Sequence, residues 1–233
     1  MSPRQLPLSL PHRASLGRAD FLTGTANAAA IALFDGWPEW PARPVLLYGP
    51  AGSGKSHLVE IWRAESGAEA LRAAELTIES AEDSIARGAL AIEDLHGGPF
   101  DEAVLFHVLN LAVERKAALL LTSRLPAAAL PLTLPDLASR LRAAQPLELA
   151  APDDDLLRRV LTKLFADRQL MIDRSVVDFI VARMERSFDA ASRIVEQLDR
   201  EALAEARPIT ARFAATALQP LFDGQAEAGL AED

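Results

Sequence analysis

The stretch that most constrains this chain is Val45-Leu46-Leu47-Tyr48 followed by Gly49-Pro50-Ala51-Gly52-Ser53-Gly54-Lys55-Ser56. A short apolar run empties into a glycine-rich loop ending in Lys-Ser, and His57-Leu58-Val59-Glu60-Ile61-Trp62 continues with helical spacing. Strand, G-x-x-x-x-G-K-[ST] and helix, in that order, make a phosphate-binding loop in its structural context. The glycines let backbone N–H groups curl around an anion, and the helix N-terminus adds a favourable dipole. In this reading Gly49, Pro50, Ala51, Gly52, Ser53, Gly54 and His57 surround a nucleotide. Lys55 reaches its outer phosphates and the Ser56 hydroxyl binds Mg²⁺.

Composition narrows the partners. The chain has 233 residues, half of them hydrophobic, enough to bury the core of one large domain or two small ones. A net charge of −9 argues against strong direct DNA binding through phosphates. There are no cysteines, which excludes disulfides and thiolate metal sites. No run is long enough to span a membrane, and Met1-Ser2-Pro3-Arg4-Gln5 lacks the apolar core of a signal peptide. A cytoplasmic protein with protein and nucleotide partners is expected.

Along the chain, residues 1–15 read as a flexible peptide. Gln5-Leu6-Pro7-Leu8-Ser9-Leu10 is its extended apolar part, kept out of helix by Pro7 and Pro11 and suited to docking in an apolar groove. An alanine-rich helix ending near Phe34 follows, and Pro38, Pro41 and Pro44 then break the chain. A short strand within 68–74 and a helix over 80–87 lead to Ala89-Leu90-Ala91-Ile92, a buried strand ending in Glu93-Asp94. Acids at the carboxyl end of a parallel strand sit where ligands bind. Either acid, Glu93 or Asp94, can hold Mg²⁺, partly through water, and its neighbour can orient attacking water, a catalytic role expected of Asp94. The spacing then predicts a helix over 100–116 with Val104, Leu105, Val108 and Leu111 on one face, strands at 117–121 and 145–149, and helices near 153–168, 174–184, 187–206 and 209–218. Alternating strands and helices imply a parallel sheet flanked by helices, residues 16–151, followed by an all-helical unit, 152–222, and a disordered acidic tail, 223–233. The histidines His12, His57, His96 and His107 share no ligand spacing.

Together the phosphate loop, the acid-ended strand, Thr122-Ser123 closing an apolar strand, and a small helical lid resemble an AAA+ P-loop domain. More narrowly, Phe21-Leu22-Thr23-Gly24 with Asn27 is similar to the adenine-binding opening of the DnaA branch. Leu134-Pro135-Asp136-Leu137-Ala138-Ser139-Arg140-Leu141 resembles that branch's arginine-finger segment. With no further helical DNA-binding domain expected after the lid, and residues 5–10 resembling a sliding-clamp peptide, the chain is most similar to the Hda family, DnaA-related regulatory inactivators, in its alphaproteobacterial form.

That resemblance implies a mechanism in trans. Gln5, Leu6, Pro7, Leu8, Ser9 and Leu10 would hold the protein on the β sliding clamp of DNA polymerase III, and Arg140 would enter the nucleotide pocket of DnaA–ATP to promote hydrolysis there. ADP or ATP with Mg²⁺ would be bound by Phe21, Gly24, Asn27, the phosphate loop and a lid arginine, and self-association is expected when no partner is present. The family pattern is broken at three places. Glu93 and Arg124 stand where the branch usually carries Asp, and Asp189 stands where its nucleotide-sensing arginine is expected, with Arg193 one turn later and Arg186 one turn earlier. These departures predict weak intrinsic ATPase activity and ADP binding at least as good as ATP binding. The alternatives are an ATP-consuming remodeller or helicase loader, and a nucleotide-stabilised clamp adaptor without a catalytic finger.

Overall fold

A computed structural model describes residues 17–40 and 44–229. The chain divides into two compact units, one closing at Ala151 and the other opening at Pro152.

The first unit carries five parallel strands: β1 (Val45–Tyr48), β2 (Glu69–Arg72), β3 (Ala89–Glu93), β4 (Ala118–Ser123) and β5 (Gln145–Glu148). Their spatial order is β2-β3-β4-β1-β5. The expected parallel sheet is therefore present, with the loop-bearing strand β1 between β4 and β5. Val45 pairs with Leu120 and Tyr48 with Ser123, so β1 and β4 end side by side. Strands covered on both faces read as continuous apolar runs, which is why both were legible.

Successive side chains alternate faces. Leu46, Leu90, Ile92, Leu119 and Leu121 pack with Ile85, Leu105, Val108 and Leu137 in one core. Val45, Leu47, Ala91 and Leu120 pack with Phe34, Leu58, Val59 and Trp62 in another. Helices α3 (Ile78–Ala86), α4 (Glu102–Arg115) and α5 (Pro135–Ala143) thus cover one face, and α1 (Ala28–Asp35) and α2 (Lys55–Ser66) the other. On α4 the buried stripe is Leu105, Val108, Leu109 and Ala112. Val104 and Leu111 flank it, because the stripe is turned by a fraction of a helical step from the expected face.

The second unit consists of α6 (Asp154–Asp167), α7 (Arg174–Val181), α8 (Phe188–Glu205) and α9 (Ala211–Gly229). Asp153 and Ser187 cap α6 and α8 by accepting from the backbone N–H of Leu156 and Ala190. Leu161, Phe165, Ile180, Ile194, Val195, Leu198 and Ala214 close its core. The ion pairs around it, such as Arg158–Asp178 and Arg207–Glu205, are largely exposed and contribute roughly 0–1 kcal/mol each. The apolar stripe decides this unit's stability. Helix α9 runs on to Gly229, past the expected end of the lid at 222. It does so despite Pro220 and Gly224, with the good helix formers Gln225, Ala226, Glu227 and Ala228 following them.

Candidate functional site

The loop after β1 is held by backbone on both sides. The Gly49 N–H donates to the Ser123 carbonyl at 3.2 Å, and a Cβ at Gly49 would lie 2.0 Å from the Leu149 carbonyl oxygen. Gly52 (φ 67°) and Gly54 (φ 96°) adopt left-handed conformations that only glycine takes readily. Helix α2 then starts at Lys55, its N-terminus opening onto the loop. The Lys55 ammonium is buried and donates to the carbonyls of Gly49 (2.8 Å) and Pro50 (2.7 Å). The cation is thus already stretched across the loop, where it can exchange carbonyl oxygens for phosphate oxygens.

On the far side of the loop, the Ser56 hydroxyl donates to Glu93 Oε2 at 3.0 Å. Burial raises the Glu93 pKa and the bond from Ser56 opposes that rise; the neighbouring Asp94 charge adds to it. Asp94 itself sits at φ 65°, a left-handed conformation unusual for a side-chain-bearing residue. Its N–H donates to Thr122 Oγ1 at 3.1 Å and its carbonyl accepts from Gly97 at 2.8 Å. These two bonds hold Asp94 in that conformation beside the phosphate loop. Ser56 and Glu93 offer oxygen donors of the kind suited to Mg²⁺, which takes one or two carboxylates and completes its shell with water and phosphate. Among the described residues no group of three His, Cys, Asp or Glu side chains could hold a metal ion, so this hydroxyl–carboxylate pair is the candidate.

His96 also reaches this corner, although its spacing in the sequence drew no attention. Its Nδ1 accepts from the Arg124 N–H at 2.9 Å, which ties the acid loop to the end of β4. Burial lowers its pKa, and the nearby Arg124 and Lys55 charges lower it further while Asp94 opposes them. The only advance signal was its place two residues after Asp94.

Before α1, Phe21 is buried and meets the His57 ring edge-on, centroids 4.9 Å apart. Asn27 is 2% exposed, accepts from the Gly24 N–H at 2.8 Å and donates to the Leu22 carbonyl at 2.9 Å. Its amide holds the Leu22–Gly24 turn rather than facing outward. Phe21, Gly24, Asn27 and the start of α2 are therefore brought together.

Arg140 lies in the last turn of α5, exposed, opposite the buried Leu137 and Leu141. Among the described residues it has no ion-pair partner. The start of α5 has no side-chain cap of its own. It is held instead by Glu102 of α4, which accepts from the Thr133 N–H (2.9 Å), the Thr133 hydroxyl (3.0 Å) and the Leu134 N–H (2.6 Å).

In the helical unit Arg193 is 57% exposed and lies 3.6 Å from Glu185, while Arg186 pairs with Asp154 at 3.0 Å. Asp189 is exposed in the first turn of α8. The expected clamp peptide, residues 5–10, lies outside the described residues. No described helix is long and apolar enough to cross a membrane.

Residues 153–218 match the family model described as the lid domain of Hda. Among solved structures, the chain is similar to domain III of the replication initiation protein DnaA from Thermotoga maritima, with 17% identity, a TM-score of 0.71 and coverage of 89% of this chain and 97% of that one. A DnaA bound to AMPPCP and single-stranded DNA matches with 15% identity and a TM-score of 0.62 over 76% of this chain and 62% of its own. The Thermotoga maritima RuvB Holliday junction branch migration motor matches with 17% identity and a TM-score of 0.63 over 77% and 62%. At these identities the likeness carries the fold alone: the chain shares the fold of DnaA domain III and of RuvB. Within it, residues 153–218 match an Hda-type lid.

Proposed function

We propose that this protein is a regulator of replication initiation that holds an adenine nucleotide and promotes ATP hydrolysis by DnaA in trans, so preventing re-initiation. The observation that carries the reading is the Hda-type lid over residues 153–218, joined in one chain to a helix that presents Arg140, exposed and with no ion-pair partner among the described residues. In this reading the loop amides, Lys55 and the dipole of α2 bind the phosphates, and Phe21, Gly24, Asn27 and His57 line the base side. Ser56 and Glu93 would hold Mg²⁺, which would supply charge neutralisation, and Asp94 would position water. Arg193 is the lid arginine assigned to nucleotide sensing. Residues 5–10 tether the protein to the sliding clamp and raise its concentration near DnaA. Arg140 then stabilises charge on the transferred phosphoryl group in DnaA, an effect on the order of 10³–10⁵-fold for fingers supplied in trans. The chain's own site keeps ADP at least as well as ATP and turns over slowly.

Mixing DnaA–ATP with DNA-loaded clamp and this protein tests the reading directly. Wild type should convert DnaA–ATP to DnaA–ADP, and Arg140→Ala and Gln5→Ala should both fail. Conversion that survives Arg140→Ala leaves a clamp adaptor. Brisk ATP turnover by the isolated protein, abolished by Lys55→Ala, would make it a remodeller instead.

A further inference from the structure

Helix α5 has a weak beginning for an element that must present a guanidinium accurately. Its N-cap residue is Leu134, which offers no side-chain acceptor, and Pro135 follows at the first helical position. A helix N-terminus leaves its first N–H groups without partners inside the helix. Here the chain entering α5 is satisfied from another helix. Glu102, in the first turn of α4, accepts from the N–H groups of both Thr133 and Leu134 and from the Thr133 hydroxyl. The Leu134 bond, at 2.6 Å, is short, as charge-assisted bonds are. The carboxylate is itself seated, because Asp101 caps α4 by accepting from Ala103 and Val104 at 2.9 and 3.0 Å. Leu137 and Leu141 fix the other side of α5 in the core. The helix is thus pinned by packing along its body and by one carboxylate at its start. The bonds to Thr133 and Leu134 hold the Glu102 carboxyl below its ordinary pKa, so it is ionised at neutral pH.

We propose that Glu102 is a positioning residue for Arg140: by clamping Thr133 and Leu134 to α4 it sets the direction of α5, and so where the Arg140 guanidinium sits in the nucleotide pocket of the protein that it stimulates. The proposal rests on reading Arg140 as a trans finger. Glu102 touches neither nucleotide nor partner phosphate; it acts through the helix.

Two measurements test it on the full-length protein. Hydrogen exchange, followed residue by residue, should show the amides of Thr133 and Leu134 exchanging at least tenfold faster in Glu102→Ala than in wild type, with the β1 and β4 amides unchanged. In the clamp-dependent DnaA–ATP assay, Glu102→Ala should lower the maximal rate about ten- to a hundredfold, the scale on which a misplacement of about 1 Å slows a reaction. The protein concentration giving half the maximal rate, and the affinity for ADP, should stay within twofold of wild type. Glu102→Gln keeps one acceptor oxygen at nearly the same volume and should fall between the two. It also decides the matter if the alanine variant does not fold. A Glu102→Ala or Glu102→Gln protein that stimulates at the wild-type rate while Arg140→Ala does not stimulate overturns the proposal and leaves the finger. A rate loss fully accounted for by weaker ADP binding or by a raised half-saturating concentration overturns it too. If Arg140→Ala stimulates normally, the finger reading fails, and the positioning role goes with it.

Discussion

The Ser56 hydroxyl donates to Glu93 Oε2 across 3.0 Å, joining the last residue of the phosphate loop to the last residue of β3. The two come from different elements, 37 positions apart, and meet because β3 and the loop end at the same rim of the sheet. Burial disfavours the charged form of Glu93, and the bond from Ser56 partly offsets this. Removing the hydroxyl therefore costs a metal site twice, through one lost oxygen and through a carboxyl harder to ionise. For Ser56→Ala we expect nucleotide affinity in Mg²⁺ to fall about tenfold, the scale seen when groups supporting a metal site are removed. Affinity in EDTA should change little. Calorimetry with and without Mg²⁺ separates the two, and an equal loss in both would place Ser56 on the phosphates alone.

Gly49 has no room for a side chain. An added Cβ would lie 2.0 Å from the Leu149 carbonyl oxygen and 3.0 Å from its carbon, both backbone atoms of the strand-end beside the loop. Neither can yield as a flexible side chain would. Gly67 supplies the control: its φ is +71°, but nothing lies within 4 Å of a Cβ there. Gly67→Ala should cost roughly 1–2 kcal/mol from the left-handed conformation alone. Gly49→Ala should exceed it, adding the overpacking term of about 1–3 kcal/mol, and should also lose nucleotide binding. Urea midpoints of the two variants give the order.

The parts of this site that could be read in advance are those written locally along the chain. The phosphate loop and the acids after Ala89-Leu90-Ala91-Ile92 each lie within one turn or strand of the residues that define them, whereas the buried Leu137/Leu141 face of α5 was not anticipated. The DnaA-like opening was also visible, but not that Asn27 would be buried with its amide committed to Leu22 and Gly24. The contacts of His96 and Glu102 are not legible in the sequence for a different reason. Their partners, Arg124 at 28 residues and Thr133 at 31, become neighbours only when the parallel strands bring their ends together. A composition or a helical period carries no information about such pairs. Nor could propensity alone say that α9 would run beyond Pro220, since proline inside a helix usually marks its end.

Asn27 should therefore be a stability residue before it is a recognition residue. Asn27→Ala leaves the Gly24 N–H and the Leu22 carbonyl without their partner at a site that is 2% exposed. An unsatisfied buried group costs roughly 1–3 kcal/mol. The turn that seats Phe21 against His57 should loosen with it. Since both ends of the amide are committed internally, affinities for adenine and guanine nucleotides should fall by the same factor. A selective loss for adenine would show instead that the amide reads the base.

Acid titration gives an independent view of the start of α5. The bonds from Thr133 and Leu134 hold the folded-state pKa of Glu102 below the ordinary value of 4.5. A carboxyl whose pKa is depressed on folding stabilises the protein above its unfolded pKa, and that contribution is lost as pH falls through the folded value. Glu102→Gln keeps the shape but not the charge, so it should melt below wild type at pH 7. The gap should hold down to about pH 5 and then close as Glu102 in wild type takes up its proton. Glu102 is close to solvent, so the gap at pH 7 should be small, roughly 1 kcal/mol. Asp35, held low by its bond from Arg18, titrates in the same direction but is present in both proteins, so it cancels in the difference. Thermal melts of the two proteins from pH 7 to pH 3 should thus converge at the acid end. Curves that stay parallel throughout would mean that the carboxylate charge does not hold Thr133 and Leu134.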